Sequence, residues 1–148
     1  EMKTSDRGID LIKELESFRS KAYPDPASRD GKPWTIGYGR AHGVKQGDTC
    51  TPEQAEAWLR EDVQDAEACI NAHVKVPLSQ HAYDALVSFI YNLGCGDFER
   101  STLLKLLNQG DRKGAAMEFH KWVYADGHIS HGLQERREKE ANVFRRGY

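Results

Sequence analysis

Residues 14–39 read ELESFRSKAYPDPASRDGKPWTIGYG. Its signals pass through three kinds, from helix to turn to strand. Before it, Ser5 can cap a helix whose Ile9, Ile12 and Leu15 recur at helical spacing. That helix must stop near Glu16, since Pro24, Pro26, Gly31 and Pro33 crowd the residues that follow. Then Trp34-Thr35-Ile36-Gly37-Tyr38-Gly39 mixes β-branched and aromatic residues and ends on glycines, which reads as a strand entering a hairpin that runs to about Val44.

Two acids sit in this stretch on different backbones. Glu16 lies near the C-terminal end of the first helix, where the negative end of the helix dipole disfavours a charged carboxylate. Asp25 is bracketed by Pro24 and Pro26, and a residue before proline is pushed into an extended conformation. Two carboxylates in unlike environments can divide acid and base roles, which is the equipment of glycoside hydrolysis. Thr35 could hold a water for them. Taken alone, this signal is weak: acidic pairs are common, and Glu14 and Glu16 read first as a solvated helix end.

Downstream the pattern is helical. Thr51 caps, Pro52 takes the first helical position and Gln54 completes a capping box; the helix is expected to reach about Ala72. From Ser79, Ala82, Ala85, Leu86, Phe89, Ile90 and Leu93 make a helix apolar nearly all round, so it should be central, with Gly94-Cys95-Gly96 ending it. Ser101 opens a short helix closed by Gly110, Asp111 opens another through Trp122, and a charged helix starts at about Leu133. The expected fold is α+β and mostly helical: a β-hairpin lobe at about 15–48, a larger helical lobe at about 51–148 plus the N-terminal helix, and a cleft between them. Residues 2–148 are read as one domain.

The remaining composition narrows the classes. The 148 residues are 39% hydrophobic and 30% charged, with formal net charge −2, so no general basic footprint for nucleic acid exists. No apolar run approaches the roughly 18 residues of a membrane span, and the polar start is not a signal peptide. Cys50, Cys69 and Cys95 match no zinc or redox spacing and are read as reduced thiols. No metal site is expected. Trp58 and Trp122 fall at helical spacing and are read as core; Trp34 could stack on a sugar.

The motifs together are specific. Glu16 is followed by Tyr23 and Asp25, then by Thr35-Ile36-Gly37-Tyr38-Gly39; later come Thr51-Pro52-Glu53-Gln54-Ala55-Glu56, Ala85-Leu86-Val87-Ser88-Phe89, Asn92-Leu93-Gly94, Ser101-Thr102-Leu103-Leu104 and Arg136-Arg137. From about residue 5 to 145 the chain resembles the phage-type lysozymes, the endolysins of glycoside hydrolase family 24. The resemblance implies a muramidase that cleaves the β-1,4 bond between N-acetylmuramic acid and N-acetylglucosamine in peptidoglycan. It carries the family's catalytic glutamate, aspartate and third active-site residue onto Glu16, Asp25 and Thr35. Tyr91 and Ser101 fall where the family lines its glycan cleft, and Arg136 where an arginine packs beside the catalytic glutamate. No cofactor is implied, and the expected state is a monomer held in the host cytoplasm until release to the wall, with an export segment removed from the N-terminus left open. A lytic transglycosylase on the same bond and an inactive glycan-binding module are the alternatives.

Three departures from the family pattern stand out: Ser17 where glycine usually follows the glutamate, a longer Ala27–Pro33 loop that would reshape a cleft rim, and Arg40 where histidine usually follows Gly-Tyr-Gly. Arginine keeps its charge at all working pH values, so Arg40 is expected to pair with Asp62 on the helix from Thr51.

Overall fold

The computed structural model describes residues 2–25 and 30–148. Pro26, expected to constrain Asp25, and the 27–29 part of the loop expected to reshape a rim lie outside the described residues. The chain forms two compact units, Ile9–Asp62 and Glu1–Gly8 with Val63–Tyr148.

Helix α1 (Asp6–Glu16), which belongs to the smaller unit from Ile9 onward, buries Ile9, Leu11 and Ile12 and stops at Glu16. Ser5 caps it, its Oγ accepting from Gly8 N at 3.1 Å. Strands β1 (Arg19–Pro24) and β2 (Trp34–Gly37) are antiparallel. This corrects the expected hairpin: the ladder partner of β2 is the upstream segment, and only the bridge from Ile36 to Arg40 runs onward. Sequence reading passed over β1 because its RSKAYP lacks the apolar–polar alternation that marks a half-buried strand. Helix α2 (Pro52–Asp62) buries Ala55 and Leu59.

The Thr-Ile-Gly-Tyr-Gly stretch is a tight loop. Ile36 and Arg40 exchange both backbone hydrogen bonds at 2.9 Å, closing a loop whose Gly37 and Gly39 take φ values of 67° and 99°. A side chain is excluded at Gly37 for a second reason, because a Cβ there would sit 3.0 Å from Ala55 Cβ.

The larger unit is helical. The helix expected from Thr51 to about Ala72 breaks at Val63 into α2 and α3 (Gln64–His73). Helix α4 (Gln80–Leu93) is buried without interruption from Ala82 to Ile90, as its apolar surround implied. Helices α5 (Cys95–Glu99), α6 (Thr102–Asn108), α7 (Arg112–Glu118) and α8 (His131–Arg146) follow. Ser79, Ser101, Asp111 and Ser130 each accept a hydrogen bond from the first turn of the helix they precede. The glycines around Cys95 hid α5, and a small ribbon, β3 (Tyr124–Ala125) with β4 (His128–Ile129), was also missed. Its Asp126-Gly127 turn, with φ of 52° and 77°, was the available signal.

The cysteine reading needs correcting. Cys69 and Cys95 form a disulfide with Cα atoms 5.9 Å apart, and only Cys50 is a free thiol. A separation of 26 residues carries no spacing signature; the packing of α5 against α3 brings the two together.

Candidate active site

The three proposed catalytic residues all belong to the smaller unit. Glu16 is the last residue of α1. The chain reverses directly after it through Ser17, whose φ of 60° lies in the left-handed region and whose N–H bonds to Lys13 O at 3.0 Å. Glycine suits this position because any Cβ strains it. Phe18 then packs on Tyr38 of the Gly-Tyr-Gly loop, with ring centroids 5.6 Å apart.

β1 carries the chain from Glu16 to Asp25. Arg19 pairs with Gly37 and Tyr23 with Thr35, so β1 spends extra residues over the same span as β2. Such irregularities bend a strand and re-aim its side chains. Thr35 is thereby set opposite Tyr23, and Asp25 lies just past the end of the strand, its N–H bonded to Gly31 O at 3.0 Å.

Tyr23 reports on both acids. Burial pushes its phenol above the ordinary range, the guanidinium of Arg19, 4.2 Å from its ring centroid, opposes that shift, and the charges of Glu16 and Asp25 push it further up. Both carboxylates therefore act electrostatically on one side chain, and Thr35 is that residue's cross-strand partner. Two acids and a hydroxyl gathered in this way can protonate a leaving group and direct a water. In the sequence only spacing marks Tyr23, and no motif marks Arg19.

Arg40 makes the contact expected of it. One guanidinium nitrogen lies 3.3 Å from Asp62 and another 3.4 Å from Glu61, while the group stacks over Trp58 at 5.3 Å. It does not grip Asp62 with two parallel bonds; it divides itself between neighbouring acids on α2.

Tyr91, Ser101 and Arg136 belong to the larger unit. Tyr91 is half-exposed near the end of α4. Ser101 is buried; its hydroxyl donates to Phe98 O at 2.6 Å and accepts from Leu104 N at 3.1 Å, which caps α6. Arg136 is buried as well, donating to Glu140 Oε2 at 3.0 Å and to Ser88 O at 2.9 Å. Arg137 shares Glu140, bonds Asn92 and donates to Trp122 O at 2.8 Å. Among the described residues no buried side-chain nitrogen or oxygen lacks a partner.

The chain matches the family described as phage lysozyme over residues 13–140. It is 46% identical to an endolysin of Acyrthosiphon pisum secondary endosymbiont phage 1, over 97% of this chain and 98% of that one. Among solved structures it resembles the endolysin from Escherichia coli O157:H7 phage FAHEc1, with TM-score 0.90 and 38% identity over 99% and 96% of the two chains. It also resembles the muramidase domain of SpmX from Asticaccaulis excentricus, with TM-score 0.89 and 34% identity over 97% and 98%. With the match running through both carboxylates and the Thr-Ile-Gly-Tyr-Gly loop, the chain belongs to the phage lysozyme family and is a lysozyme-type glycoside hydrolase.

Proposed function

We propose that the chain cleaves the β-1,4 bond between N-acetylmuramic acid and N-acetylglucosamine in bacterial peptidoglycan. Glu16 gives its proton to the glycosidic oxygen as the bond to the muramic acid C1 breaks. Water attacks C1 from the opposite face, and Asp25 takes its proton. Thr35 holds that water. A water between the acids calls for inversion at C1, with the carboxyl groups roughly 6.5–9.5 Å apart. The observation that supports this assignment most directly is the β1–β2 ladder, which sets Thr35 opposite Tyr23 between Glu16 at the end of α1 and Asp25 just past β1.

In the larger unit, Tyr91 offers a ring to the glycan, while Arg136 and Ser101 act through the packing they hold. The enzyme works as a monomer on the wall and stays in the host cytoplasm until release, which fractionation across the onset of lysis tests. Digestion of purified peptidoglycan tests the chemistry. Reducing-end muramic acid with the α configuration at first appearance is expected. An internal anhydro ring would mean a lytic transglycosylase, and binding without cleavage would mean a glycan-binding module.

A further inference from the structure

Helices α3 and α5 each present a cysteine with a metal-binding side chain one turn further on. Cys69 and His73 are four residues apart on α3, and Cys95 and Glu99 are four apart on α5, so each pair lies along one helix face. Both sulfurs and a ring nitrogen of His73 lie within 4.8 Å of one another. Cys69 is buried, whereas His73 and Cys95 are half-exposed, so the cluster is open to solvent on one side. The Glu99 carboxylate lies 3.2 Å from His73 Nε2.

We propose that once the Cys69–Cys95 disulfide is reduced, Cys69, His73 and Cys95 form a binding site for a thiophilic divalent cation, Zn²⁺ above all. Two thiolates and an imidazole are a donor set that zinc takes readily. Bond lengths of about 2.3 Å to sulfur and about 2.0 Å to nitrogen put tetrahedral ligands about 3.5–3.8 Å apart. The three donor atoms already lie within 4.8 Å of one another, and the sulfurs must part from their bond to reach that spacing. With Glu99 on Nε2, the ion takes Nδ1, and Glu99 serves as the carboxylate that orients the imidazole. Water fills the fourth position, and two thiolates balance the charge of the ion. The disulfide and the cation thus compete for the same sulfurs, and the site opens only under reducing conditions.

The chemistry balances simply. A phosphine reductant breaks the S–S bond, takes up the oxygen of a water molecule as phosphine oxide, and leaves two thiols. Metal binding then displaces their two protons to solvent.

The test uses the full chain with Cys50→Ser, so that no other thiol competes. The protein is reduced with a phosphine under anaerobic conditions and titrated with Co²⁺ as a spectroscopic stand-in. A thiolate-to-cobalt charge-transfer band with the visible spectrum of a tetrahedral ion should appear at one equivalent and vanish when Zn²⁺ is added. The oxidised protein should show neither, and Cys95→Ser should lose both. Glu99→Gln should weaken binding about tenfold, and His73→Ala by more. Circular dichroism of the same samples covers the case in which reduction unfolds the chain: Zn²⁺ should then restore the helical signal. A reduced, folded protein without the band, a His73→Ala variant that binds as tightly as the parent, or a reduced chain that unfolds and is not rescued by Zn²⁺ each overturns the proposal.

Discussion

The two units of the molecule handle charge in opposite ways. In Ile9–Asp62 three charged groups stand where an element ends or turns. Glu16 is half-exposed where α1 stops, Asp25 is half-exposed past β1, and Arg40 braces the turn onto α2 from a half-buried position. In the helical unit, some charged groups are sealed inside. Glu140 is fully buried with Arg136 and Arg137, and Asp84, also fully buried, accepts from Ser5 N at 3.0 Å, Gln80 at 2.9 Å and the Tyr148 hydroxyl at 2.8 Å. A carboxylate that must exchange protons with substrate and water needs access to both. A carboxylate that only holds helices together is costly to bury and must be saturated with donors. In the proposed mechanism, one residue type therefore does chemistry in one unit and architecture in the other.

Amide substitution should separate these roles most sharply. Glu16→Gln should remove wall-clearing activity by about 10²–10⁴-fold or more, since an amide cannot donate the proton. Its thermal unfolding should match the parent, and near-normal turnover would take Glu16 out of the mechanism. Glu140→Ala is the converse. Two buried guanidinium groups lose the carboxylate they share, so unfolding free energy in denaturant should fall by about 3–5 kcal/mol. A loss below about 1 kcal/mol, the range of exposed ion pairs, would show that the network is not sealed.

Smaller effects come from the brace and the turn. Arg40→Ala should cost about 1–2 kcal/mol, the scale of partly screened hydrogen bonds to charged groups. Arg40→Lys should recover only part of this, because an ammonium cannot divide itself between Glu61 and Asp62 while stacking on Trp58. Full recovery would reduce the contact to charge alone. Ser17→Gly should stabilise by about 0.5–1 kcal/mol, the relief of left-handed strain less the backbone entropy of glycine. A destabilised variant would mean that the Ser17 side chain makes up for the strain.

The smallest effect is a pH dependence. The hydrogen bond from Lys13 Nζ, 2.7 Å from Glu56, holds the Glu56 carboxyl below its usual range, more than burial raises it. A depressed folded value stabilises the protein above the unfolded value of about 4.3 and loses that contribution as pH falls through the folded one. Glu56→Gln should therefore flatten part of the acid limb of the stability curve. An unchanged acid limb would leave this pair without thermodynamic weight.

Much of this was legible in the chain. The end of α1 at Glu16, the glycines of the tight loop, and the caps at Ser5, Thr51, Ser79, Ser101 and Asp111 depend on residues within a few positions of one another. Local sterics and short-range hydrogen bonds decide such features, so a linear string carries them. The Arg40–Asp62 contact spans 22 residues and was still foreseen, because charge type limits the choice of partner. Tertiary structure alone decided the pairing of β1 with β2, the placing of Tyr23 under the influence of both acids, the Cys69–Cys95 bond and the burial of Glu140 between two arginines. β1 has no periodicity of its own, and cysteines on two different helices have no spacing rule. For such groups, partners are chosen by which surfaces meet when the core closes, and that depends on the packing of the whole unit.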